Sequence, residues 1–152
     1  MNPPSEPTHG RSFSLFHAGD WKDLKQHGFD HPLIGKVWGK LFLKDRLKLT
    51  GMEVSFGVLR PGRGTPFLHS HRQNEELYVF LHGRGQMIVD GEVIEVREGT
   101  ALRVAVGGVR AWRNNSGEDL HYIVIQAKAG TLEQGAISDG VEVSGSPAWG
   151  DL

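Results

Sequence analysis

His69 and His71 stand two residues apart in the run Leu68-His69-Ser70-His71-Arg72-Gln73-Asn74-Glu75-Glu76. In an extended segment alternate side chains share a face, so the two imidazoles point the same way, about 7 Å apart. Glu76 opens a further alternation, Glu76, Tyr78, Phe80. A strand carrying it, paired with the histidine segment, brings the carboxylate opposite the imidazoles. Two imidazoles and one carboxylate on one face form the triad that suits iron, manganese, nickel or zinc, with positions left open for a substrate.

These residues need strands to hold them, and the chain supplies strand signals along most of its length. Residues 52–59 and 76–81 read as strands, the second apolar on both parities, as a strand covered on both faces must be. Residues 86–89 precede Asp90-Gly91, a two-residue hairpin signal, in a register that sets Val89 against Glu92 and Met87 against Ile94. Further strands are expected over 100–106, 109–114 and 120–127, with glycine turns between them. Upstream, Asp20 is placed to cap one or two helical turns that Gly28 ends, and residues 35–43 form a strand with one mostly apolar face. Six or more short strands and no long helical pattern give an all-β barrel or sandwich.

The pattern H-x-H, four residues, E, six residues, G, carried by His69, His71, Glu76 and Gly83, resembles the first motif of the cupin superfamily. Gly62 and Gly64 bracket the place where that motif has a further glycine, which Arg63 occupies. In the second motif Gly99, Gly107 and Asn114 keep register, Ala105 stands for the proline, and Arg110 stands for the histidine. The likeness spans roughly residues 50 to 127. It implies a double-stranded β-helix, the jelly-roll barrel, with a short N-terminal helical turn. It also implies His69, His71 and Glu76 as ligands of a divalent transition metal, with Arg110, Tyr78, Phe80 and Trp112 lining the substrate pocket.

Two functions follow from the resemblance. One is a metal-dependent isomerase or dioxygenase acting on a small anionic molecule held in the barrel. The other is a barrel without metal that binds a small, sugar-like molecule and has no catalysis. Arg110 weighs on the choice, because a guanidinium about 5 Å from a divalent ion is repelled by about 7 kcal/mol at an effective dielectric of about 20. Three positions stay open for it: swung away to another acid such as Glu75, paired with Glu76 in a metal-free site, or at the edge of a metal site holding an anionic substrate. His82 and His121 are secondary candidates for a third imidazole. His9, His17, His27 and His31 read as surface or hydrogen-bonded residues.

Composition excludes other classes. A chain of 152 residues, 38% hydrophobic, has room for one core. A formal net charge of -1 leaves no basic footprint for nucleic acid or an anionic membrane. The absence of cysteine removes disulfides and thiolate ligands. With no long apolar run and a polar, proline-rich start, the expected protein is soluble and cytoplasmic. The organisation expected is a disordered or loosely attached arm over 1–12, an extension over 13–48 packing on the barrel, the barrel over 49–127, and a tail or edge strand over 128–152. Apolar residues on both parities of 76–81 and 120–125 predict a homodimer.

Overall fold

The computed structural model describes residues 3–149; the outermost positions of the expected arm and tail, 1–2 and 150–152, lie outside the described residues. Glycine and proline divide the chain into short extended runs. The N-terminal part holds β1 (Thr8–His9), β2 (Ser14–Leu15), a 3-10 helix (Trp21–Gln26), β3 (Gly28–His31), β4 (Gly35–Trp38), β5 (Lys40–Phe42) and a helical turn α1 (Lys44–Leu47). The remainder is β6 (Glu53–Leu59), β7 (Asn74–His82), β8 (Arg84–Val89), β9 (Glu92–Arg97), β10 (Ala101–Val104), β11 (Arg110–Arg113) and β12 (Leu120–Lys128).

Two antiparallel sheets face each other. One has the order β10-β7-β12-β6-β5, the other β11-β8-β9. Period-two alternation sends Tyr78 and Phe80 from β7, Tyr122 and Val124 from β12, Val104 from β10, and Met87 and Val96 from the smaller sheet into one core, each 5% exposed or less. Full burial of apolar side chains of this size contributes about 1.5–3 kcal/mol each. A second apolar cluster lies on the outer side of β5 and β6, where Leu24 of the 3-10 helix packs with Leu41, Leu43 and Val58. Asn114, 1% exposed, ties the second-motif loop by donating to the carbonyls of Leu59 and Glu118 and accepting from Ser116.

The Asp90-Gly91 hairpin forms in the expected register, with φ of 49° and 86° and with Val89 opposite Glu92 and Met87 opposite Ile94. Other local expectations are corrected. The strand over 35–43 breaks at Gly39, whose φ of 77° only glycine adopts freely, so β4 and β5 join different sheets. Asp20 makes no side-chain cap and lies 3.7 Å from Lys22 instead, and Gly28 opens β3 where it was expected to end the helix. Thr8 and His9 of the expected arm pair with Leu15 and Ser14. Within the expected tail or edge strand over 128–152, no strand forms among the described residues beyond Lys128, and Val141 and Val143 are 85% and 81% exposed. Among the described residues no helix is long and apolar enough to cross a membrane.

Candidate ligand site

The histidine pair sits on an irregular segment, 60–73, not on a regular strand as its parity predicted. This segment runs alongside β11 and is held to it by backbone bonds: Gly62 N–H to Asn114 O at 2.9 Å, Thr65 N–H to Trp112 O at 2.9 Å, and a two-way exchange between His69 and Arg110. Gly64 is pressed so close to β11 that an added Cβ would meet Arg113 Cβ at 2.8 Å. Residues directly opposed across such a bridge send their side chains to one face. Arg110 therefore faces inward with His69, while Glu76 and Tyr78 reach the same place from β7.

The charged groups meet around Glu76, which is 4% exposed. Arg110 Nη2 donates to Glu76 Oε2, the Tyr78 hydroxyl donates to the same oxygen at 2.5 Å, and His71 Nε2 lies 3.0 Å from Oε1. Arg110, only 1% exposed, also lies 3.3 Å from the Tyr78 hydroxyl through Nε and donates to Gly108 O at 3.0 Å. Burial alone would raise the Glu76 carboxyl, but the hydrogen bonds from Tyr78 and Arg110 and the Arg110 charge outweigh it and hold the group below the usual carboxylate range. Burial and the adjacent Glu76 charge push the Tyr78 phenol well above its ordinary range, so it stays a donor. Burial, with the Arg110 charge, lowers His69 to about 4, which leaves it neutral near pH 7. His69 Nδ1 is buried with no hydrogen-bond partner among the described residues.

Ligand atoms of His69, His71 and Glu76 lie within 4.8 Å of one another and in that respect could hold a metal ion. The donor types fit. The surroundings of Glu76 do not, since its two oxygens are taken up by a guanidinium, a phenol and an imidazole. A divalent ion there faces the Arg110 charge at close range.

Beside this cluster lies a cavity of about 390 Å³, lined by His69, His71, Glu76 and Trp112 and otherwise mostly by aromatic and aliphatic groups from β3 to β6, β12 and the 64–67 loop. Of the residues expected at the pocket, Trp112 lines it. Tyr78 and Arg110 are spent on Glu76 behind the wall, and Phe80 is packed in the core against Tyr122. His82 and His121 pair with each other on β7 and β12 away from this cavity, with His82 3.4 Å from Glu118, so neither supplies a third imidazole here.

Among the lining residues not read from sequence are His31 and Lys40. His31, taken for a surface histidine, lines the cavity with its ring 5.2 Å from that of Phe67. Lys40 places Nζ 5.2 Å from the Tyr122 ring centre, 5.6 Å from Phe42 and 5.8 Å from Trp112. Burial lowers its amine to about 8 against the pull of Glu76 and Glu53. The only available signal was a lysine in a run rich in aromatics, which periodicity assigns to the wet side of a strand.

The cupin domain family matches residues 55–126 of the chain. The crystal structure of a cupin protein from Bacteroides fragilis is 45% identical over 69% of this chain and 89% of that one, with a TM-score of 0.67. A Cupin 2 conserved barrel domain protein from Salinispora arenicola is 20% identical over 59% of this chain and 75% of that one, with a TM-score of 0.54. A sugar phosphate isomerase from Silicibacter pomeroyi is 19% identical over 60% of each chain, with a TM-score of 0.54. The last two likenesses show the fold alone. No curated protein matches.

Proposed function

The chain belongs to the cupin family, and from that premise we infer that it is a small-molecule-binding barrel whose cavity takes an anionic ligand without a metal. One observation carries the reading: Arg110, 1% exposed and bonded to Glu76, occupies the electrostatic role a metal would otherwise play beside that carboxylate. A buried carboxylate needs a partner, and the guanidinium with the Tyr78 hydroxyl provides it. His69 and His71 are then left to face the cavity, with Trp112 as its wall.

The test is the metal content of protein purified without added metal, together with thermal unfolding before and after chelation. The expected result is no stoichiometric transition metal and an unchanged Tm. Iron, manganese, nickel or zinc at one per chain, with a fall in Tm on chelation, would overturn it.

A second reading, a metal-dependent enzyme of the isomerase or dioxygenase type, is favoured by the 4.8 Å grouping of His69, His71 and Glu76. Bound there, a divalent ion would supply Lewis-acid or oxygen chemistry. This reading requires Arg110 to release Glu76, and it predicts the opposite outcome of the metal measurement.

A further inference from the structure

The cavity contains a cation that the Glu76 cluster does not neutralise. Lys40 lines it, and no hydrogen bond or ion pair among the described residues engages its Nζ. Glu76, one of the two carboxylates acting on it, is committed to Arg110, Tyr78 and His71. The other, Glu53, uses Oε1 to accept from the backbone N–H groups of Leu43 and Lys44 at 3.1 and 3.0 Å. What surrounds the amine is the faces of Tyr122, Phe42 and Trp112. Such faces return about 0.5–2 kcal/mol to a cation, whereas taking it out of water costs several kcal/mol. With its amine at about 8, Lys40 remains mostly charged near pH 7, and among the described residues no carboxylate lies within ion-pair distance of it.

The rest of the lining selects what that counter-ion carries. Phe29, Val37, Phe42, Phe67, Trp112 and Val124 make the wall largely apolar and aromatic. Two of its polar groups are engaged, Thr65 Oγ1 accepting from Trp112 N–H and Gln126 Oε1 accepting from Asn74, while His69 Nδ1 and Trp112 Nε1 have no hydrogen-bond partner among the described residues. A sugar would turn most of its hydroxyls to ring and aliphatic surface, and each one left unpaired there is penalised. An apolar or aromatic body has no such cost and gains contact with the rings.

We propose that Lys40 is the anion-binding residue of the cavity and that its ligand is a small carboxylate with an apolar or aromatic body. The carboxylate sits on the Lys40 ammonium and the body lies against Trp112, Tyr122 and Phe42. The proposal rests on the reading of the cavity as an anion site, and it moves the anion contact from Arg110, whose charge Glu76 has taken, to Lys40.

The experiment is calorimetric titration of the full chain with phenylacetate, with its neutral isostere phenylacetamide, and with glucose 6-phosphate, on wild type and on Lys40→Met and Lys40→Arg. The expected result is that wild type binds phenylacetate at least tenfold more tightly than the other two. Lys40→Met should lose at least tenfold for phenylacetate with little change for the amide, and Lys40→Arg should restore part of it. Phenylacetate bound equally by wild type and Lys40→Met, still in preference to the amide, would overturn the role of Lys40 while leaving an anion site. Phenylacetate bound no better than the amide, or not at all, with glucose 6-phosphate bound, would overturn the ligand class. No preference of wild type for either anion would remove the anion site itself. Should Lys40→Met fail to fold, limited acetylation of wild type mapped by mass spectrometry decides instead. Phenylacetate, and not the amide, should protect Lys40 at least tenfold, and equal labelling with and without it would overturn the proposal.

Discussion

His69 and Arg110 exchange both of their backbone hydrogen bonds, His69 N–H to Arg110 O at 3.1 Å and Arg110 N–H to His69 O at 2.9 Å. That bridge ties an irregular loop to β11 at the position where the first histidine and the arginine must share a face. It brings the guanidinium to Glu76, and the state of Glu76 governs what the cavity can hold.

Removing Arg110 while Glu76 remains should be costly. Arg110→Met leaves a buried carboxylate with the Tyr78 hydroxyl and His71 as partners, and breaking a buried pair from one side costs about 3–5 kcal/mol. Replacing both partners, Arg110→Met with Glu76→Gln, should cost clearly less than the sum of the single changes. Urea unfolding of the four proteins in the cycle measures this, and additive single effects would refute the coupling.

Arg110→His should raise affinity for a divalent metal, since it removes the repulsion, frees Glu76 and supplies an imidazole beside His69 and His71. Calorimetric titration with zinc or nickel checks it. Affinity unchanged or lower in the variant would show that Arg110 does not control this site.

Lys40 gives a pH signature in stability. Burial holds its folded amine at about 8, below the ordinary lysine value of 10.5 that applies in the unfolded chain. Between those values the unfolded chain binds more protons, so stability rises with pH across the window and is flat below and above it. The difference in unfolding free energy between wild type and Lys40→Met should therefore shift toward wild type from about pH 8 to 10.5. Parallel curves would exclude a lowered Lys40.

Gly57→Ala should disturb the aromatic wall. An added Cβ would lie 2.3 Å from the Tyr122 ring, which must then move, and overpacking of this kind costs about 1–3 kcal/mol. Because Tyr122 faces the Lys40 amine, the same change should weaken phenylacetate binding at least threefold. A normal Tm with unaltered binding would contradict the account of Tyr122.

We expect a homodimer. Leu77 and Leu81 point away from the core on β7 and are 37% and 36% exposed, on a sheet face that the N-terminal helix covers over β5 and β6 and, through Trp21 stacked on His121, at the start of β12. Sedimentation at tens of micromolar showing monomer alone would count against pairing through this face.

The barrel was legible in the sequence because it depends on period-two alternation and on turns a few residues long, and the grouping of His69, His71 and Glu76 was legible through their spacing, although a loop bridged to Arg110 and not a regular strand holds the two histidines. The Asp90-Gly91 register is of the same kind, set by two residues that accept positive φ. The inward side of Arg110 was legible too, through the glycine and asparagine positions that keep its strand in register. Its partner was not: Glu75 and Glu76 are adjacent in sequence, and Glu75 turns outward to Arg103 while Glu76 turns in. Nor was the cavity side of Lys40. Alternation along 35–43 distinguishes two faces, but Gly39 turns the chain from one sheet into another, and Lys40 meets Trp112 and Tyr122 only after β11 and β12 have closed the barrel. Spacing governs which side chains share a face, because the backbone repeats locally. Which face becomes dry, and which charge is left unpaired there, is decided by strands distant in the chain that pack together.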